Sequence, residues 1–459
     1  MPVKERMARL AKAGLLLLML PLLTGWWFSV VRARYYNERE GNPRLIAHPE
    51  LRGGFLDRTG RALAHNDGRK RVYPLGQATA PLLGYFDLRV GTSGLEDAYD
   101  QQLWGRRQAD LMDGTGLTST RVKGPDVILS LDAGLQELCY KLLAGRRGAM
   151  LLLHIPSGEI VAAASAPSYD PSTLGNRWAE LSTSREAPLF HRGLAGLYSP
   201  GSTFKVLTLI AALEEGVLGP TSTLTCAGKI PFENFTLRDS SDTAHGSLSV
   251  RDAFAYSCNV AFAETGLKLG VNRMNEWMKR TLLLSASVPG SARGIPADLD
   301  GRKLSTAQAA IGQGSLLVSP LGMARLTAAV ARGGIDIEPH LYRGFKLQDK
   351  VDSTVPPLKK QRVMKQSTAD FVARAMRAVV VEGTGTAAAL PGVEVAGKTG
   401  TAENPRGRPD AWFVGYAPYA KPKFAVAVIL ENTGYGGEHA APLAARALQA
   451  ALNTPLGKR

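Results

Sequence analysis

The chain has 459 residues, 45% hydrophobic and 21% charged, with a formal net charge of +15. At roughly 150 residues per domain this allows two or three domains with ample apolar material, and it excludes a disordered or fibrous chain. Cys139, Cys226 and Cys258 are too few for a disulfide framework and form no C-x-x-C pair, and the 7 histidines show no metal-ligand spacing. Neither a metal nor another cofactor is expected.

The positive surplus suggests an anionic partner, either nucleic acid or a membrane surface. Its distribution favours the membrane. Residues 1–71 carry 14 Lys/Arg against 6 Asp/Glu, whereas residues 72–124 carry 5 against 6. More than half of the surplus thus lies at the N-terminal end, next to a hydrophobic segment.

That segment, residues 13–31, has no charged side chain and includes the run Leu15 to Leu20. It is about long enough to cross a hydrocarbon core of roughly 30 Å. Lys4, Arg6, Arg9 and Lys12 precede it. Positive flanks stay inside, so residues 1–12 are expected in the cytoplasm and everything after Val31 outside it. Arg32 and Arg34 on the far side oppose this orientation weakly. Trp26 and Trp27 suit the interfacial belt. A cleaved signal peptide is the competing reading, disfavoured by the length of the run and by the lack of a small-x-small cleavage site.

Residues 32–124 are turn-rich, with glycines at 91, 94, 105, 114 and 116. They suit a small extended module and are short for an enzyme. The texture changes at Asp126. Val127–Leu131 reads as a buried strand, and Leu135, Leu138, Cys139, Leu142 and Leu143 follow at helical spacing. Apolar runs at 149–155 and 159–165 flank Pro156-Ser157-Gly158, a hairpin signal. Ser202–Leu213 is apolar nearly all round, as in a buried helix. Three further strands are predicted at 393–401, 411–417 and 424–430. A final helix is predicted from about Pro442 to Leu452, with proline at its start. Strands at both ends with helices between predict one antiparallel sheet covered by helices.

Three motifs carry chemistry: Ser202-Thr203-Phe204-Lys205, Ser257-Cys258-Asn259 and Lys398-Thr399-Gly400. Each alone is a weak signal; their order and contexts make the set strong. Ser202 would open a buried helix, where unpaired backbone N–H groups can hold an oxyanion. Lys205 lies one turn on. A serine hydroxyl needs an adjacent base, and a lysine can be that base where burial favours its neutral form. Ser257 and Asn259 flank Cys258, which is expected to pack away from the site; the hydroxyl could relay a proton and the amide orient lysine or substrate. An ordinary turn between helices is the alternative for that pair alone. Lys398, Thr399 and Thr401 offer a cation and hydroxyls to a carboxylate, and Gly400 lets a ligand approach the strand.

The same three motifs are a known signature of penicillin-binding proteins and class A β-lactamases, and the chain resembles a class B penicillin-binding protein. The resemblance extends to Arg52-Gly53-Gly54, Asp57-Arg58-Thr59-Gly60, Gly94-Leu95-Glu96, Tyr99-Asp100 and Ser165–Pro171. It also takes in Tyr198–Lys205, Ile311–Gly314 with Ser319-Pro320-Leu321, and Gly397–Glu403. It implies an α+β, penicillin-recognising serine transpeptidase fold at 125–459, an elongated pedestal at 32–124 and one transmembrane helix at 13–31. It further implies a peptidoglycan D,D-transpeptidase of the bacterial inner membrane, acting in cell-wall synthesis. Ser202 would be acylated by stem peptides, or by β-lactams as their mimics. Lys205 would be the base, Ser257 the relay and Asn259 the orienting amide. Lys398, Thr399, Gly400 and Thr401 would bind the donor carboxylate, and the N–H groups of Ser202 and Thr401 would form the oxyanion hole. The pedestal implies a membrane glycosyltransferase partner of the SEDS type; nucleic acid is not an expected partner. Relatives often carry a second cysteine downstream of Cys226-Ala227-Gly228, where this chain reads Phe235–Asp239, so a disulfide from Cys226 is not expected.

Other readings compete. Gly392–Thr399 fits the phosphate-loop pattern G-x-x-x-x-G-K-[ST], but a helix must follow the lysine, and Pro405, Gly407 and Pro409 prevent one. Gly383–Ala388 fits G-x-G-x-x-A but follows a helical pattern and reads as a loop. A carboxypeptidase or β-lactamase of the same fold would pass the acyl group to water, and the anchor and pedestal disfavour it. A non-catalytic penicillin sensor or polymerase activator is disfavoured by the intact motifs.

Overall fold

The computed structural model describes residues 49–104, 123–240, 244–282, 288–348, 350–353, 359–405 and 407–458, with isolated positions between 7 and 21. Apart from Gly14, Met19, Leu20 and Pro21, the predicted anchor at 13–31 lies outside the described residues, as does the stretch 105–122. Among the described residues no helix is long and apolar enough to cross a membrane.

In chain order, the strands that build the two main sheets are β1 (Phe55–Leu56), β2 (Ala62–Asp67), β3 (Lys70–Val72), β4 (Asp126–Leu129), β5 (Gly148–His154), β6 (Ile160–Ala166), β7 (Tyr342–Leu347), β8 (Lys350–Asp352), β9 (Ala396–Ala402), β10 (Asp410–Ala417) and β11 (Phe424–Leu430). The helices that matter for the site are α1 (Ala133–Leu142), α2 (Lys205–Glu214), α3 (Val250–Ala255), α4 (Asn259–Leu282), α5 (Pro320–Ala331), α6 (Gln366–Val381) and α7 (Gly436–Asn453).

The central sheet has the order β9-β10-β11-β5-β6, antiparallel throughout. Its strands come from both ends of the catalytic part, as the sequence pattern predicts. Both faces are covered. Met150, Leu152, Phe413, Val426 and Val428 belong to an apolar cluster with α1 and α7. Their neighbours Ala149, Leu151, Trp412, Val414, Ala427 and Ile429 belong to another with α2, α5 and α6. A strand buried on both faces reads as an unbroken apolar run instead of an alternating one, which is why these strands are recognisable. Each fully buried Leu, Val or Phe side chain contributes about 1.5–3 kcal/mol.

A second sheet has the order β8-β7-β4-β1-β2-β3. β1 pairs with β4 in parallel, Phe55 facing Val127, and β4 pairs antiparallel with β7, Phe345 facing Val127. This sheet therefore combines strands from both sides of the boundary expected at 124/125. Arg52, Glu96 and Arg71 support it as a buried ionic network. Arg52 Nη2 and Arg71 Nε reach the two oxygens of Glu96 at 2.9 and 2.7 Å, and Tyr73 donates to Glu96 at 3.1 Å. Arg52 also pairs with Asp100 at 2.6 Å. These contacts explain why Arg52-Gly53-Gly54 and Gly94-Leu95-Glu96 occur together in one chain.

Two element ends differ from expectation. Ser202 does not open an α-helix; it sits in a 3-10 turn, Gly201–Phe204, that leads into α2 at Lys205. Pro442 lies inside α7, six residues after its start at Gly436. Apolar composition locates a buried helix well but marks its first turn poorly, because the polar residues before it also belong to the helix.

Candidate active site

The site forms where the Gly201–Phe204 turn, the α3–α4 junction and edge strand β9 meet. Gly201 makes the first of these approaches possible. It has φ +52°, and a Cβ there would lie 2.5 Å from the carbonyl oxygen of Thr401. The turn carrying Ser202 is thus pressed against β9. Gly201 N–H donates to Gly312 O at 2.9 Å, and the Ser199 hydroxyl donates to the same oxygen at 2.8 Å. Gly312 belongs to the Ile311–Gly314 segment.

Lys205 and Lys398 are both fully buried. Lys205 Nζ donates to Ser257 O at 2.5 Å, to Asn259 Oδ1 at 2.8 Å and to Ser257 Oγ at 3.3 Å. Lys398 Nζ donates to Ser257 Oγ at 2.8 Å and to Thr399 O at 3.1 Å. The Ser257 hydroxyl therefore lies between two buried amines. Ser257 itself is held at φ +61°, a left-handed conformation that costs a non-glycine residue roughly 1–2 kcal/mol and that places its side chain between them. Among the described residues, no hydrogen bond joins Lys205 Nζ to the Ser202 hydroxyl.

Burial pushes the Lys205 amine down to about 8, opposed by nearby Asp239. Burial, and then the charge of Lys205, push Lys398 well below the ordinary lysine range. Two buried amines that share one hydroxyl do not both hold a proton cheaply, so a basic lone pair is available near neutrality.

All eight predicted site residues lie at this junction. Ser257, Asn259 and Lys398 converge on Lys205. Thr399, Gly400 and Thr401 follow Lys398 along β9, and Gly436 N–H reaches Thr401 Oγ1 at 3.4 Å. Two contributors were not predicted. The Thr384 and Thr399 hydroxyls share a hydrogen bond of 2.5 Å; Thr384 falls in the loop whose G-x-G-x-x-A pattern suggested nothing specific. Asp239 Oδ1 accepts from Asn259 N–H at 3.3 Å and fixes the start of α4. No local pattern marks Asp239, because its partner is 20 positions away. The Cys258 thiol lies against Asp239 and Cys226. All three cysteines are buried thiols.

A turn-borne serine three residues before a buried lysine, which shares a hydroxyl with a second buried lysine at the edge of a five-stranded sheet, suits a serine acyltransferase site. Residues 148–449 match the family described as the penicillin binding protein transpeptidase domain, and the chain belongs to that family. Residues 52–127 match the penicillin binding protein A dimerisation domain. The chain is 33% identical, over 97% of its length and 98% of the relative's, to the peptidoglycan D,D-transpeptidase PbpA of Mycolicibacterium smegmatis. It is similar in structure to penicillin-binding protein A of M. tuberculosis, solved as an imipenem acyl-enzyme complex, at a TM-score of 0.80 and 30% identity, covering 89% of this chain and 100% of that one. A D,D-transpeptidase domain from Eggerthella lenta gives 0.79 and 30%, covering 87% and 98%. These likenesses place the chain among class B penicillin-binding proteins.

Proposed function

We propose that Ser202 is the acylated nucleophile of this peptidoglycan D,D-transpeptidase and that the Lys205–Ser257–Lys398 chain moves its proton. The observation that supports this most strongly is the Ser257 hydroxyl held between two buried amines, next to a serine turn seated on β9. In the first half-reaction Ser202 Oγ bonds to the carbonyl carbon of the penultimate D-alanine of a stem peptide. Lys205 takes the hydroxyl proton as base. The C–N bond to the terminal D-alanine breaks, and the leaving amine receives a proton through Ser257. In the second, the amine of a neighbouring stem attacks the ester, forming the cross-link and returning the proton to Ser202.

Asn259 orients Lys205 through its side-chain oxygen. Lys398, Thr399 and Thr401, with Gly400 between them, receive the donor carboxylate. The N–H groups of Ser202 and Thr401 hold the oxyanion; β9 is an edge strand, so one of its sides is open to a ligand. β-Lactams acylate Ser202 by the same route.

Residues 13–31 are the single membrane anchor of this reading, with residues 1–12 cytoplasmic and the catalytic part outside the inner membrane. Residues 32–124 form the pedestal and residues 125–459 the transpeptidase domain. The pedestal and anchor serve a membrane glycosyltransferase of the SEDS type. The cationic flank at 4–12 and the length of the apolar run support the anchor.

A fluorescent penicillin tests the chemical assignment. Wild-type chain is labelled covalently and Ser202→Ala is not; labelling of both would remove Ser202 from the role.

A further inference from the structure

Glu431 directly follows β11, outside the group of side chains assigned to the acyl transfer. Its carboxylate is held on three sides. Oε1 accepts from Arg192 Nε at 2.8 Å and from the Tyr198 hydroxyl at 3.0 Å, and Oε2 accepts from Arg147 Nε at 2.9 Å. The Arg192 side chain is 2% exposed and that of Glu431 14%. Arg192 is itself fixed, because it also donates to Ala187 O at 3.1 Å and Glu186 O at 2.7 Å. Burial alone would raise the Glu431 carboxyl, but Arg192, Tyr198 and Arg147 hold it below the ordinary carboxylate range. The group is therefore charged at neutral pH, and a hydrogen bond to a charged acceptor is worth more than a neutral one.

Tyr198 stands four residues before Ser202. Its backbone exchanges hydrogen bonds with Val318 at 3.0 and 2.8 Å, and its ring meets Trp412 edge-on with centroids 6.1 Å apart. The Trp412 indole donates to Ser199 O at 3.0 Å, and Trp412 lies opposite Gly400 of β9. The chain after Glu431 reaches the other arm of the site. Asn432 N–H donates to Asp410 Oδ1 at 2.8 Å and Gly434 N–H to Pro409 O at 2.8 Å, and Gly436 N–H is the group that reaches Thr401 Oγ1. Residues 431–436 therefore touch both the approach to the nucleophile and the strand assigned to the donor carboxylate.

We propose that Glu431 is a positioning residue for acylation: through the Tyr198 hydroxyl it holds the segment leading into Ser202 in place against β9. The inference rests on the reading of Ser202 as nucleophile. A carboxylate clamped between two guanidinium groups is a fixed point, and the Tyr198 ring carries that fixity to the turn. Misplacing a reacting group by about 1 Å can slow a reaction roughly 100-fold. If Glu431 served only to neutralise Arg192, the Tyr198 hydroxyl would be dispensable for the rate.

The test is stopped-flow acylation of the full chain, purified in detergent, by a chromogenic β-lactam, with the limiting rate and the half-saturating concentration read separately. Tyr198→Phe removes one oxygen and leaves Arg192 and Arg147 paired. It should lower the limiting rate roughly tenfold and leave the half-saturating concentration within about twofold. Glu431→Gln keeps an acceptor for Tyr198 and should keep most of the rate. In a Glu431→Leu background, Tyr198→Phe should have no further effect, because both changes break the same link. Two results would overturn the proposal: a Tyr198→Phe variant that melts lower but keeps the wild-type limiting rate, or losses that multiply in the double variant. The Tyr198→Phe measurement stands even if Glu431→Leu does not fold. Mass mapping of the wild-type adduct reports on Ser202 alone, so failure of that assignment is distinguishable from failure here.

Discussion

At the scale of single residues, the account rests on what burial does to two lysines. A lysine amine in water holds its proton far above neutrality and cannot act as a base. Burial brings Lys205 down to about 8. The neutral form is the active one and gains population as pH rises, so acylation should quicken up to about pH 8 and then level off. Below that it should fall about tenfold per pH unit. A stopped-flow pH profile with a chromogenic β-lactam would show this limb; a flat profile between pH 6 and 9 would contradict it. Lys205→Ala should slow acylation by roughly 10²–10⁴-fold, the usual worth of a general base. The eight site residues are legible in sequence because each motif is short and carries its own chemistry. Asp239 and Thr384 are not. Their partners lie in other elements.

At the scale of elements, the turn at Gly201 and the edge of β9 must fit against each other with no space between. Gly201→Ala would put a methyl group into the Thr401 carbonyl and strain a positive φ. The expected outcome is a folded protein acylated at least about tenfold more slowly, equivalent to ~1.4 kcal/mol in the barrier. Penicillin-labelling rates measured beside the circular dichroism spectrum would check it, and an unchanged rate would show that the two elements need not touch. Thr384→Val removes a hydroxyl from Thr399 and should cost about 1 kcal/mol of carboxylate binding, read as weaker saturation by a stem-peptide analogue. The element boundaries were the less legible part of the sequence. The five strands of the central sheet stand out because both faces are buried. The first turns of α2 and α7 do not, since glycine, serine and proline there read as loop or as helix start.

Across the whole molecule, the second sheet ties the dimerisation-domain match to the transpeptidase match through β1, β4 and β7. Nothing in the sequence pattern suggested it. Its strands are short, and its β4–β7 pairing, Phe345 with Val127 among others, joins residues more than 200 positions apart. The Arg52–Glu96–Arg71 network is joined to this sheet through Arg71, on β3. Removing Glu96 leaves two buried guanidinium groups without their shared partner, so Glu96→Ala should destabilise the fold by about 3–5 kcal/mol. A lower urea midpoint would report it, with Ser202 still labelled under native conditions; an unchanged midpoint would show that the network contributes little.

Covalent labelling of the full chain by penicillin, followed by peptide mass mapping, locates the nucleophile. One penicilloyl adduct is expected, on Ser202, absent in Ser202→Ala. An adduct on any other residue, or labelling that survives in Ser202→Ala, would contradict it.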